Sequence, residues 1–138
     1  LGHSRKHLFR AIMEGTGYQL YLCWRRIQTL NPGIIAHRIV TSGGGAKSHV
    51  WRQIIADLFG LPVWMPKERE TGALAVACLI SVSSGAHKNF EDAIKEVKNP
   101  LINVVEPIKE NTAKYLKMFN LYERVEEGLK DLFTAPQL

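Results

Sequence analysis

The stretch Ile39-Val40-Thr41-Ser42-Gly43-Gly44-Gly45-Ala46-Lys47-Ser48 decides how the rest of the chain reads. Arg38 to Thr41 is a short β-branched run that favours a strand. Three glycines then interrupt any regular element, and a helical pattern opens at Ser48. Within it Trp51, Ile54, Ile55 and Leu58 recur at i, i+3, i+4 and i+7. Gly60 supplies the C-terminal stop, and Pro62 bars continuation. A strand, a glycine loop and a helix N-terminus in succession suit an anionic ligand. The glycines let the ligand approach the backbone, and the first-turn N–H groups carry partial positive charge. Gly43, Gly44, Gly45, Ala46, Lys47 and Ser48 are therefore the candidate nucleotide-binding residues. The alternative is a tight glycine turn that holds nothing. Two familiar phosphate loops do not fit. A Walker A loop needs glycine where Ala46 and Thr41 stand, and a dinucleotide fingerprint needs glycine at Ser48.

Outward from this loop, the periodicity predicts a long helix from a Ser4 cap to Leu30, with its stripe at Leu8, Ala11, Ile12, Gly15, Tyr18, Leu22, Cys23, Ile27 and Leu30. Val63 to Met65 reads as a second strand closed by Pro66. A polar loop containing Glu68, Arg69 and Glu70 then leads to a Thr71 cap. The helix from Gly72 to Ser83 is apolar nearly all round, which predicts burial against close neighbours. Asn89 caps a short helix through Val97, and Pro100 to Glu106 is extended or irregular. Pro107 fits the first turn of a last helix with a stripe at Tyr115, Met118, Phe119, Tyr122, Val125, Leu129, Leu132 and Phe133. Strands alternating with helices give an α/β fold with short parallel strands and mostly helical content. Two strands make a poor sheet, so the expectation is an incomplete domain cut from a longer chain, with exposed apolar surface.

With 138 residues the chain is one domain's worth and needs no metal or disulfide staple. No apolar run reaches the ~18 residues of a membrane span, so no membrane association is expected. Cys23 and Cys78 lie in apolar stretches and read as buried free thiols of a cytoplasmic protein. The charge is +5 overall, but residues 1–69 carry +7 and residues 70–138 carry −2. A basic half suits a nucleotide or, as a separate hypothesis, nucleic acid. His3 and His7 are i, i+4 on a helix without the Glu or Cys that a zinc site would add. Trp51 and Trp64 read as core.

Three ordered segments carry a resemblance. Gly2 to Gly15, GHSRKHLFRAIMEG, resembles the second signature of the FGGY carbohydrate kinases, through His7, Leu8, Ala11, Ile12, Met13 and Glu14. GGGAKSHVWRQIIADLFGLPV looks like that family's adenosine-binding segment, closest to its xylulokinase branch. Glu70 to Ala77, ETGALAVA, looks like its E-x-G-A-L-G-A-A helix start, with Ala75 and Val76 replacing the usual Gly and Ala. His49 stands where a proline is common. The resemblance spans roughly residues 2 to 85.

It implies a ribonuclease-H-like, actin-like ATPase fold of two domains. Residues 1–138 would be the C-terminal, nucleotide-binding part of the second domain, with the first domain and the start of the second absent. The implied reaction moves the γ-phosphoryl group of ATP to a sugar hydroxyl, with magnesium, on a pentulose such as xylulose. Gly43 to Ser48 would cradle adenosine, with Gly44 and Gly45 against the nucleotide. The sugar site, the catalytic Asp, the magnesium ligands and the phosphate loops would lie upstream, leaving the isolated chain inactive and without a metal site or catalytic residue. The expected partners are ATP or ADP and the sugar, not nucleic acid, and a homodimer is a further expectation. The alternative reading is an actin-like nucleotide-binding module without sugar kinase activity.

Overall fold

A computed structural model describes residues 2–67, 70–97 and 99–134. The elements run α1 (Arg5–Leu30), β1 (Ile39–Val40), a 3-10 turn (Gly45–Lys47), α2 (His49–Phe59), β2 (Val63–Pro66), α3 (Thr71–Ser83), α4 (Phe90–Glu96), β3 (Leu101–Val105) and α5 (Lys109–Thr134). Three of the caps follow the sequence, whereas Thr71, expected as a cap, is the first residue of α3 and Glu70 precedes it as the N-cap. Ser4 opens α1, where its N–H donates to Nδ1 of His7 at 3.0 Å. The Ser48 hydroxyl accepts from the Trp51 N–H at 3.2 Å, and Asn89 accepts from the Asp92 N–H at 2.9 Å. Gly60 ends α2 at φ 64°, a left-handed conformation that a glycine adopts without strain.

The sheet has three strands in the order β1-β2-β3. β1 pairs with β2 in parallel, as the α/β reading expects. The third strand corrects that reading. Residues 101–105, expected only to be extended or irregular, pair antiparallel with β2, Met65 opposite Ile102, so the sheet is mixed. Leu101 to Val105 is all apolar apart from Asn103, and nothing in its local pattern names its neighbour.

α2 is the axis of the core. Ile54, Ile55, Ala56, Asp57 and Leu58 are all buried. Ile54 and Leu58 pack with Tyr18 and Leu22 of α1 and Tyr115 and Phe119 of α5. Ile55 and Ala56 turn the other way, onto Val63 and Val105 of the sheet. Each fully buried side chain of this kind contributes about 2 kcal/mol of transfer free energy. α1 approaches α2 closely at Gly17, where an added Cβ would stand 3.4 Å from Leu58 and 3.5 Å from Ile54. Tyr21 meets the Phe119 and Phe59 rings edge-on, with centroids 4.8 and 5.0 Å away.

Two charged residues of α2, Arg52 and Asp57, are buried, and Asp57 lies deeper. Asp57 accepts from the Ile108 N–H at 2.8 Å, from Asn111 Nδ2 at 2.9 Å and from Gln53 Nε2 at 2.8 Å. The carboxylate thereby ties α2 to the start of α5, satisfying a first-turn donor that a helix leaves open. α5 begins at Lys109, so Pro107 stands just outside it and not in its first turn.

Three burial expectations change. In α1 only the middle is covered, by α2 and α5, so Leu8, Ile12, Ile27 and Leu30 of the stripe are exposed, and Cys23 is an exposed thiol. In α3 only Cys78 is buried, while Val76, Leu79 and Ile80 are more than half exposed. The close neighbours expected for α3 reduce to α4, and the expected exposed apolar surface is present. In α5, Met118 and Val125 are half exposed, whereas Tyr115 and Phe119 are buried. The side chains of Leu132 and Phe133 lie outside the described residues, as do Glu68 and Arg69.

Candidate functional site

β1 ends against β2 with the Thr41 N–H donating to the Trp64 carbonyl at 2.9 Å. The chain then turns at Gly43, whose φ of 79° is left-handed. This is the position in the loop where a side chain would be strained. Gly44 is right-handed helical at φ −60°, and positive φ is absent from Gly45 too. The six candidate residues form one continuous feature. The N–H groups of Ala46, Lys47 and Ser48 return to the carbonyls of Gly43, Gly44 and Gly45 at 3.2, 3.1 and 3.1 Å. Of the N–H groups expected to be open at the loop and helix start, the 3-10 turn consumes those of Ala46, Lys47 and Ser48. The N–H groups of Gly44 and Gly45 meet no acceptor among the described residues and remain available.

The loop has a floor and an open face. Ala46 is buried, whereas Gly43, Gly44, Gly45 and Lys47 are exposed. A Cβ added at Gly43 or Gly44 would meet nothing within 4 Å, and one at Gly45 would sit 3.7 Å from the Trp51 indole nitrogen. A planar or anionic group can therefore reach this backbone without displacing protein atoms. Lys47 reaches toward Glu70, Nζ to Oε1 3.9 Å, an exposed pair that contributes little to stability. This contact brings the start of α3 to the loop, so two of the three sequence segments singled out above meet here.

The third segment flanks it. Lys6, His7, Phe9, Arg10 and Met13 of α1 face Ser48 and Val50 across an open groove of about 480 Å³. Behind it, Arg10 Nε donates to Glu14 at 2.7 Å, Arg10 Nη2 donates to the Tyr115 hydroxyl, and that hydroxyl donates to Glu14 at 2.8 Å. Burial pushes the Tyr115 phenol up to about 12; Arg10 opposes the rise and Glu14 adds to it. Burial raises Tyr18 as well, with the Glu14 charge reinforcing it. At neutral pH both are hydrogen-bond donors and not bases.

Two features escaped the sequence reading. Arg52 is buried beneath the loop and donates to the Ala46 carbonyl. Its signal is its place beside the apolar stripe, one turn before Ile55 and Ala56. The Arg10–Glu14–Tyr115 cluster joins residues about a hundred apart, and no local pattern announces it. Trp51 and Trp64 are partly buried, and the Arg38 guanidinium lies 5.2 Å from the Trp64 ring. Among the described residues no group of three or more His, Cys, Asp and Glu side chains is placed to hold a metal, and no helix is long and apolar enough to cross a membrane.

Residues 1–84 match the C-terminal domain of the FGGY family of carbohydrate kinases. The chain belongs to this family. It is 32% identical over 133 residues to a xylulose kinase of Bacillus subtilis, covering 96% of this chain and 26% of that one. The crystal structure of a ligand-bound xylulose kinase from Lactobacillus acidophilus superposes with a TM-score of 0.68 at 27% identity, over 94% of this chain and 26% of that one. A gluconate kinase from Lactobacillus acidophilus superposes at 0.66, also at 27% identity, over the same shares. The fold is thus that of the FGGY kinases, the actin-like ATPase fold. This FGGY chain spans about a quarter of the length of the relatives it matches.

Proposed function

We propose that this chain is the nucleotide-binding part of an ATP-dependent carbohydrate kinase of the cytoplasm, with the adenosine of ATP or ADP lying on Gly43 to Ser48. The observation that carries the reading is the loop itself. It leaves the end of a strand paired in parallel, keeps the N–H groups of Gly44 and Gly45 without an acceptor among the described residues, and has open space beside Gly43 and Gly44. The reaction proposed for the full-length protein is transfer of the γ-phosphoryl group to a sugar hydroxyl, catalysed mainly by positioning and electrostatics. A pentulose such as xylulose is the proposed acceptor, in line with the xylulose kinases among its relatives. The catalytic Asp, the magnesium ligands and the sugar contacts are proposed to lie in upstream parts of the full-length protein. The role of the present residues is to hold the nucleotide.

Gly44→Val is the direct test in the full-length protein. Its φ of −60° suits valine, and the new side chain enters open space, so it weakens nothing by clashing with protein. The KM for ATP is expected to rise at least ~tenfold, a loss of about 1.4 kcal/mol, with the KM for sugar unchanged. An unchanged ATP constant would remove the loop from the site. Nucleotide binding without phosphorylation of any sugar tried would identify a module without kinase activity.

A further inference from the structure

We propose that Arg52 is the positioning residue of the nucleotide loop, an inference that rests on the nucleotide reading of that loop. Two charged side chains are buried in the described core, and they are treated very differently. Asp57, 1% exposed, has three donors. Arg52, 9% exposed, has no carboxylate partner among the described residues, and its Nε is buried without a hydrogen bond. A buried guanidinium left in that state is costly, and packing does not account for it. Its one hydrogen bond runs from Nη1 to the carbonyl of Ala46, the middle residue of the 3-10 turn.

That bond has a geometric consequence. In a planar trans peptide the C=O and the following N–H point in opposite directions. Holding the Ala46 carbonyl inward therefore aims the Lys47 N–H back at the Gly44 carbonyl, which it reaches at 3.1 Å. The turn closes, and the Gly44 and Gly45 N–H groups stay on the outer face. Arg52 is too buried to touch a ligand, so it acts through the loop. Its charge, with no carboxylate partner among the described residues, also raises the potential that an anionic nucleotide meets.

The test compares Arg52→Met and Arg52→Lys in the full-length protein, with Gly44→Val alongside. Arg52→Met is expected to raise the KM for ATP at least ~tenfold, with kcat and the KM for sugar within ~twofold of the parent. Arg52→Lys keeps a charge and one donor, and is expected to bring the ATP effect down to about threefold. If Arg52→Met lowers only the melting temperature while Gly44→Val still weakens ATP, Arg52 is a structural residue and the inference falls while the loop stands. If neither substitution changes ATP affinity, the inference and the nucleotide reading fall together. Should Arg52→Met not fold, Arg52→Lys decides, because an ATP constant equal to the parent's in that variant overturns the proposal.

Discussion

α2 and α3 each follow a strand of the parallel pair, and they end up in opposite environments. α2 carries Arg52, Gln53 and Asp57 among its eleven residues, yet it is the most enclosed helix of the chain. α3 reads TGALAVACLISVS, with no charge at all, yet Leu79 and Ile80 are 58% and 61% exposed. The difference lies in what surrounds them. α2 has α1 and α5 on one side and the sheet on the other, so beyond its exposed first residues, His49 and Val50, its faces find partners, including the polar one. α3 rests mainly on α4 among the described residues, over an apolar cleft of about 260 Å³ lined by Cys78. Apolar composition measures a demand for burial; the supply comes from neighbours.

Substitutions can break or sharpen this contrast. Ile54→Ala should have the largest effect, because Ile54 is fully buried between α1, α2 and α5. A loss of about 4 kcal/mol is expected in urea unfolding; a loss under about 1 kcal/mol would mean that α2 is not the axis of the core. Asp57→Ala should follow at about 2 kcal/mol, since it leaves the part-buried Ile108 N–H and Asn111 amide without their acceptor. Equal stability of this variant would show that water reaches these donors.

Gly43→Ala should cost about 1–2 kcal/mol, because φ at 79° is left-handed. Gly44→Ala, at φ −60° with free space around it, should stay within about 0.5 kcal/mol of the parent. Similar losses at both positions would contradict the loop geometry.

The α1–α5 seam adds a pH-dependent effect on the order of 1 kcal/mol. The folded Tyr115 phenol titrates at about 12, against about 10 in the unfolded chain. Between these values the unfolded state binds fewer protons than the native state. Stability contributed by the protonated phenol is therefore complete below pH 10 and falls as pH rises through 12. Tyr115→Phe should flatten this limb in melts recorded across that range; an unchanged slope would assign it to other groups.

The smallest effect belongs to α3. Ile80→Ala should change the stability of the isolated chain by less than about 0.5 kcal/mol. Sedimentation or light scattering should show reduced self-association for Ile80→Lys. If Ile80→Ala costs as much as Ile54→Ala, α3 is covered in solution and the contrast disappears.

By itself, the sequence determined the local structure and the glycine loop that is the candidate site. Helix starts at Ser4, Ser48 and Asn89, the stop at Gly60 and the glycine loop after β1 all follow from short-range hydrogen bonding and backbone sterics. These act over three or four residues, so the chain carries them in plain view. Motif order made the family legible as well, and the match over residues 1–84 agrees with it. Tertiary structure decided the rest. Pairing of residues 101–105 with β2, the burial of Arg52 under Ala46, the bonding of Arg10, Glu14 and Tyr115, and the exposure of α3 all depend on which distant segments meet. A periodic stripe states that a face is apolar, but contact between remote segments sets its coverage, and that information is absent from any local window.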